Sequence, residues 1–110
     1  MGKWVSVAKV SELEPSMCRS VEADGYGVAL FNVEGTIYAL DNCCPHAGGP
    51  LGEGTLKGRH VECPWHGWRF NVCTGERPEN PAITASRYRV DVVGEDIRVW
   101  LPPETEGAEP

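Results

Sequence analysis

Short runs of alternating apolar and polar residues recur along the chain, and turn-forming residues interrupt them. Trp4-Val5-Ser6-Val7 alternates, Met17 to Glu22 alternates loosely, and Ala23-Asp24-Gly25 reads as a turn. Tyr26 to Val33 and Thr36 to Leu40 then flank Glu34-Gly35, which predicts a hairpin and, with the preceding run, a β-meander. Near the other end, Tyr88 to Val93 and Asp96 to Leu101 flank Gly94-Glu95, a second predicted hairpin with period-two alternation in Tyr88, Val90, Val92 and in Ile97, Val99. A single helical turn is predicted over Val10 to Glu14, with Ser11 as its cap and Pro15 as its stop. The pattern is all-β and antiparallel.

Between the meander and the last hairpin, residues 42–81 break the pattern and concentrate glycine and proline. Two segments there resemble each other, Cys44-Pro45-His46 and Cys63-Pro64-Trp65-His66, each opening with Cys-Pro, reaching His two or three residues on and continuing to Gly. A β-scaffold presenting two similar loops side by side is the expected arrangement.

Composition narrows the class. A chain of 110 residues with 41% hydrophobic content is expected to form one domain that buries a core without disulfide support. That domain is placed at residues 1–101, followed by an acidic tail, 102–110, without fixed structure because it holds no large apolar side chain. The net charge of −6 comes from 16 acidic and 10 basic residues, and three of the acids (Glu104, Glu106, Glu109) lie in the tail. No basic surface for nucleic acid is indicated. No apolar run reaches bilayer length, and Met1-Gly2-Lys3-Trp4 leads directly into strand-like sequence, so a cytoplasmic protein without a membrane partner is expected.

The five cysteines are an odd number, which does not suit a secreted disulfide framework, and clustered cysteines in a cytoplasmic chain point to metal. Cys44-x-His46 and Cys63-x-x-His66 are separated by sixteen residues. Thiolate and imidazole together suit zinc or the iron of an iron–sulfur cluster. A zinc finger takes two cysteines from one turn and two histidines from one helix, whereas each loop here supplies one of each, which suits a binuclear cluster better.

At these residues the sequence resembles the Rieske family and specifically its small soluble ferredoxins. The resemblance covers roughly residues 3–101 and is most specific at Cys44-Pro45-His46, Gly49-Pro50-Leu51, Cys63-Pro64-Trp65-His66-Gly67-Trp68, Phe70 and Thr74-Gly75. It implies an antiparallel β-sandwich or barrel with a small cluster-binding subdomain of two loops. It also implies one [2Fe–2S] cluster, with Cys44 and Cys63 on the inner iron and His46 and His66 on the outer. Leu51, Trp65 and the Pro78–Pro81 loop would shield it, and Trp65 is the candidate for partner docking.

In the high-potential branch of the family a disulfide ties the two loops, and serine and tyrosine hydroxyls lie near the cluster sulfur and a ligand sulfur. The matching positions are Gly49 and Trp65 for the bridge, and Trp68 and Phe70 for the hydroxyls. A low potential, roughly −150 mV, is therefore expected. The implied role is a one-electron carrier, a monomer working between a flavin-containing reductase and a terminal oxygenase. Two alternatives stand beside it: the small subunit of an assimilatory NAD(P)H nitrite reductase, and a zinc-binding structural module.

The remaining candidates carry plainer expectations. Cys43 is a substitute ligand only if Cys44 is not used, Cys18 and Cys73 are expected as buried thiols in strands, and His60 as an ordinary strand residue. With His46 and His66 committed, one histidine cannot complete the two-histidine, one-carboxylate iron site of an oxygenase, so a carrier is expected and not the oxygenase itself. Trp4 and Trp100 are expected in the core.

Overall fold

The computed structural model describes residues 2–43, 49–65 and 67–101. Among these residues the chain forms β1 (Lys3–Lys9), β2 (Cys18–Ala23), β3 (Tyr26–Val33), β4 (Thr36–Asp41), β5 (Thr55–Lys57), β6 (His60–Glu62), β7 (Arg69–Asn71), β8 (Glu76–Arg77), β9 (Asn80–Thr84), β10 (Arg87–Tyr88), β11 (Val90–Val93) and β12 (Asp96–Leu101). All registered pairs are antiparallel, in sheets ordered β1-β12-β11, β10-β4-β3-β2, β5-β6-β7 and β8-β9.

The four-stranded sheet is the middle layer. From β3, Val28 and Leu30 enter one core cluster with Ile97, Val99 and Leu101 of β12. Ala29 and Phe31, on its other face, enter a second cluster with Leu51, Val61, Phe70 and Cys63. A strand covered on both faces has no polar side to alternate with, which is why Val28-Ala29-Leu30-Phe31 is a continuous apolar run. The second cluster joins the scaffold to the loop region.

The meander follows the predicted turns. Asp24-Gly25 and Glu34-Gly35 each place two successive residues at positive φ, 52° and 88° in the first, 52° and 97° in the second. Such turns match the twist of the strands they join. The second is pinned by buried Asn32, whose side chain donates to the Leu13 carbonyl at 2.8 Å and accepts from Gly35 N–H at 2.7 Å.

Four expectations are corrected. Tyr88 does not belong to the last hairpin: it pairs with Ala39 in the middle sheet, and the chain changes sheets at Arg89 before Val90 pairs with Val99. The alternation of Tyr88 with Val90 thus spans two sheets. The short helix is a 3-10 turn, Val10–Glu12, with Lys9 and not Ser11 at its N-cap. There the Glu12 carboxylate accepts from Lys9 N–H at 3.1 Å, doing the work a capping hydroxyl does elsewhere.

Trp4 and Trp100 belong to neither core cluster. They face each other across β1 and β12 with ring centroids 5.3 Å apart, edge to face, and Arg98 lies 5.2 Å from the Trp4 ring. Val99 and Leu101 take the inward positions, so strand alternation turns Trp100 outward. Cys73 lies in the turn after β7 and not in a strand. Among the described residues no helix is long and apolar enough to cross a membrane.

Candidate metal centre

Two stems hold the loop region. At the first, Asn42 N–H donates to Gly27 O at 3.1 Å, its carbonyl accepts from Leu51 N–H at 2.8 Å, and its side-chain oxygen accepts from Gly52 N–H at 2.7 Å. Cys43 and Pro50 form an antiparallel bridge beyond it. Asn42 therefore closes the ring from which the first loop springs. Sequence reasoning passed over it, although a lone Asn between a strand and a Cys-rich loop is a recognisable signal for side-chain closure of a turn.

The second loop is tighter. Cys63 N–H donates to Trp68 O at 2.7 Å, and Gly67 N–H donates to Cys63 O at 3.2 Å. The turn demands φ of +72° at Gly67, a conformation that glycine adopts without steric cost. Strand β6 delivers Cys63 into this turn, and β7 carries the chain away from it.

Of the four expected ligands, only Cys63 falls among the described residues; Cys44, His46 and His66 lie outside them. Cys63 is 2% exposed and packs in the second core cluster beside Leu51 and Phe70. The first loop meets it directly. A Cβ built on Gly49 would lie 3.0 Å from Cys63 Sγ and 2.8 Å from Trp65 Cγ. The positions expected to match the family's inter-loop bridge are thus in contact, with an indole where a cystine would stand.

A third segment is tied to the second loop. Arg69, at the start of β7, pairs with Glu79 at 2.6 Å, and the Arg77 guanidinium lies 3.7 Å from the Trp68 ring centroid. Glu79 sits in the turn between β8 and β9, so the 78–81 segment is joined to the exit of the cysteine turn by an ion pair and a cation–π stack. The Arg69 guanidinium holds the Glu79 carboxyl below its ordinary pKa. Neither arginine was singled out by sequence, because long-range pairing leaves no local pattern.

Electrostatics at the first stem differ. Burial pushes the Asp41 carboxyl above its ordinary pKa, while the N–H of Cys43, donating to it at 3.1 Å, pulls the other way. Burial likewise raises the thiol of Cys18, which donates to Gly54 O at 3.3 Å, as expected for a thiol packed as a small hydrophobe. Cys43 is exposed, and His60 stands on β6, opposite Lys57 and Asn71.

These features fit a group gripped between two loops. One thiolate donor is walled by apolar side chains, and the facing loop approaches it through a residue with no side chain. Fold and site together define an all-β protein in which two loops meet at a buried cysteine.

Comparison with known proteins then gives the family. The profile described as Rieske [2Fe-2S] domain matches residues 3–93, and the chain belongs to that family. Membership implies one Rieske-type [2Fe–2S] cluster as cofactor. The ferredoxin component of the naphthalene 1,2-dioxygenase/salicylate 5-hydroxylase systems of Ralstonia sp is 38% identical over 101 residues, covering 92% of this chain and 96% of the relative. Among solved structures, a chain in the complex of reduced oxygenase and oxidized ferredoxin of carbazole 1,9a-dioxygenase superposes with a TM-score of 0.85 at 33% identity, covering 94% of this chain and 97% of that one. A protein described as the small subunit of an NADPH nitrite reductase has a TM-score of 0.75 at 22% identity, covering 88% and 97%, a likeness of fold alone.

Proposed function

We propose that the protein is a one-electron carrier, the ferredoxin component of a ring-hydroxylating oxygenase system, taking electrons from a flavin-containing reductase and passing them to a terminal oxygenase. The observation that carries this reading is near full-length similarity to a dioxygenase ferredoxin, combined with a buried Cys63 thiol facing the opposite loop. A bound [2Fe–2S] cluster supplies one-electron exchange. The chain supplies the rest.

In this reading Cys44 and Cys63 hold the inner iron, and His46 and His66 hold the outer. Leu51 and Phe70 keep water from the Cys63 side, consistent with their full burial. Trp65, 51% exposed beside Gly49, covers the junction of the loops and presents an aromatic face for docking. The 78–81 segment, tied down by Arg69 and Arg77, completes the shield. Trp68 and Phe70 offer no hydroxyl to a cluster sulfur, so the potential stays at the low end of the family range. The carrier is monomeric and cytoplasmic.

The test is an EPR-monitored reductive titration of the purified protein at neutral pH. The expected result is a rhombic signal of low average g that develops only at low potential and is absent in a Cys63→Ser variant. A signal developing well above 0 mV would refute the hydrogen-bond reasoning. Co-purification with a large sirohaem flavoprotein would instead assign the chain to a nitrite reductase, and a colourless zinc protein would refute the carrier reading.

A further inference from the structure

Three ion pairs border the second loop among the described residues: Lys57 with Glu62 at 3.9 Å, Arg69 with Glu79 at 2.6 Å, and Arg77 with Glu79 at 3.9 Å. Arg77 is the least exposed of these five side chains, at 20% against 42–73% for the others. Water and salt screen an exposed pair, whereas a charge held out of solvent keeps more of its field. Arg77 is therefore the charge to follow.

The backbone fixes where it stands. Gly75 N–H donates to Asn71 O at 2.6 Å and Ala85 N–H donates to Gly75 O at 2.8 Å, which closes the β8–β9 hairpin against the end of β7, and Arg77 pairs with Asn80 inside it. The guanidinium lies 3.7 Å from the Trp68 ring centroid. Its buried Nε has no hydrogen-bond partner among the described residues and lies 3.9 Å from Glu79 Oε1, beyond hydrogen-bond reach. An aromatic face and a carboxylate at that distance compensate a desolvated cation less than a direct pair does. Trp68 in turn accepts from Cys63 N–H at 2.7 Å and packs against the core cluster that holds Cys63. With roughly 6 Å across the tryptophan itself, the Arg77 charge is within about 13 Å of the Cys63 backbone.

We propose that Arg77 sets the reduction potential of the centre: its guanidinium, stacked on Trp68, favours the added electron, and the Glu79 carboxylate opposes it. The proposal rests on the carrier reading, in which the reductase supplies one electron and the centre gains one negative charge; Arg77 exchanges no proton. At an effective dielectric constant of about 20, a unit charge about 13 Å away shifts such an equilibrium by roughly tenfold, less whatever water screens. The expected effect is about three- to tenfold, or about 30–60 mV at 59 mV per tenfold for one electron.

The experiment is an EPR-monitored reductive titration of the cluster-loaded wild type, Arg77→Gln, Arg77→Lys, Glu79→Gln and the Arg77→Gln/Glu79→Gln double variant, each with its iron content measured. Arg77→Gln is expected to lower the midpoint by about 30–60 mV, and Arg77→Lys, which keeps the charge, to stay close to wild type. Glu79→Gln should raise it by a smaller amount, because that carboxylate stands half in water, and the double variant should fall between the two single ones. A hairpin that served only as a cover would shift Arg77→Gln and Glu79→Gln in the same direction, since both substitutions loosen it. Shifts of one sign, or a lysine variant displaced as far as the glutamine one, would overturn the proposal. A wild-type signal with unshifted variants would overturn it alone, whereas absence of a Rieske signal from the iron-loaded wild type would overturn the carrier reading together with it.

Discussion

The contact between Gly49 and Trp65 predicts that a disulfide can be installed where the sequence has none, in Gly49→Cys/Trp65→Cys. A Cβ on Gly49 lies 2.8 Å from Trp65 Cγ, and one carbon–carbon bond of about 1.5 Å separates that atom from Trp65 Cβ, so the two Cβ atoms are at most about 4.3 Å apart. Disulfides span Cβ separations of about 3.5–4.5 Å. Residues 49–65 close a loop of 17 residues, for which the loss of unfolded-state freedom corresponds to about 3 kcal/mol. Against wild type the gain is smaller. Trp65 is half exposed, and losing about 100 Å² of its buried area costs about 2.5 kcal/mol.

The informative comparison is therefore the oxidised against the reduced double variant, followed by urea unfolding of each with thiols counted at the start. The expected outcome is loss of two titratable thiols on oxidation and a difference of about 3 kcal/mol in favour of the oxidised form. Failure of the two cysteines to pair would refute the juxtaposition of the loops. Pairing with a difference below about 1 kcal/mol would refute the reasoning from chain entropy.

Leu51→Ala empties a fully buried position in the cluster that holds Cys63, and a loss of about 2–5 kcal/mol in urea unfolding is expected, with faster bleaching of the bound cluster. Gly54→Ala drives a methyl group into the Glu62 carbonyl, a rigid backbone contact, and should cost about 1–3 kcal/mol by the same assay although the φ of −82° suits any residue. Asp41→Asn keeps the acceptor for Cys43 N–H and removes the charge that burial disfavours. Because the folded-state pKa of Asp41 is raised above 3.8, its folded form binds the proton more tightly, so the contribution of this one group to stability is fully present below that value and is lost as pH rises through the folded pKa. The variant should show a higher urea midpoint at pH 7 and a difference from wild type that vanishes below about pH 4; a difference independent of pH would refute the assignment.

The strands that alternate or end in glycine turns were legible because their information is local. Asp24-Gly25 and Glu34-Gly35 name their turns, and β2, β3 and β4 follow at the predicted places. Tyr88 and the outward tryptophans were not legible, because both depend on which sheet a strand joins and on which face that sheet buries. A residue pairing with Ala39 has the same local sequence as one pairing with Val99. The turn that opens at Cys63 was legible from its local sequence, whereas the contacts that support the loop region were not. Asn42, Arg69, Arg77 and Glu79 act across gaps in sequence that periodicity does not register.

The two faces of the middle sheet explain how so small a scaffold places a ligand. Phe31 on β3 is backed by the first core, and its own face carries Leu51 from the first loop's exit and Phe70 from the second's. Cys63 packs in that same cluster, so its thiol is held by the interior of the domain and not by the loop alone. Two residues later Trp65 is half in solvent. Within one tight turn, then, the chain passes from a wall fixed by core packing to a tip open to solvent. In the proposed carrier this gradient keeps the inner ligand's geometry constant while the outer edge exchanges partners, and the same packing that stabilises the fold limits the rearrangement that electron transfer would otherwise require.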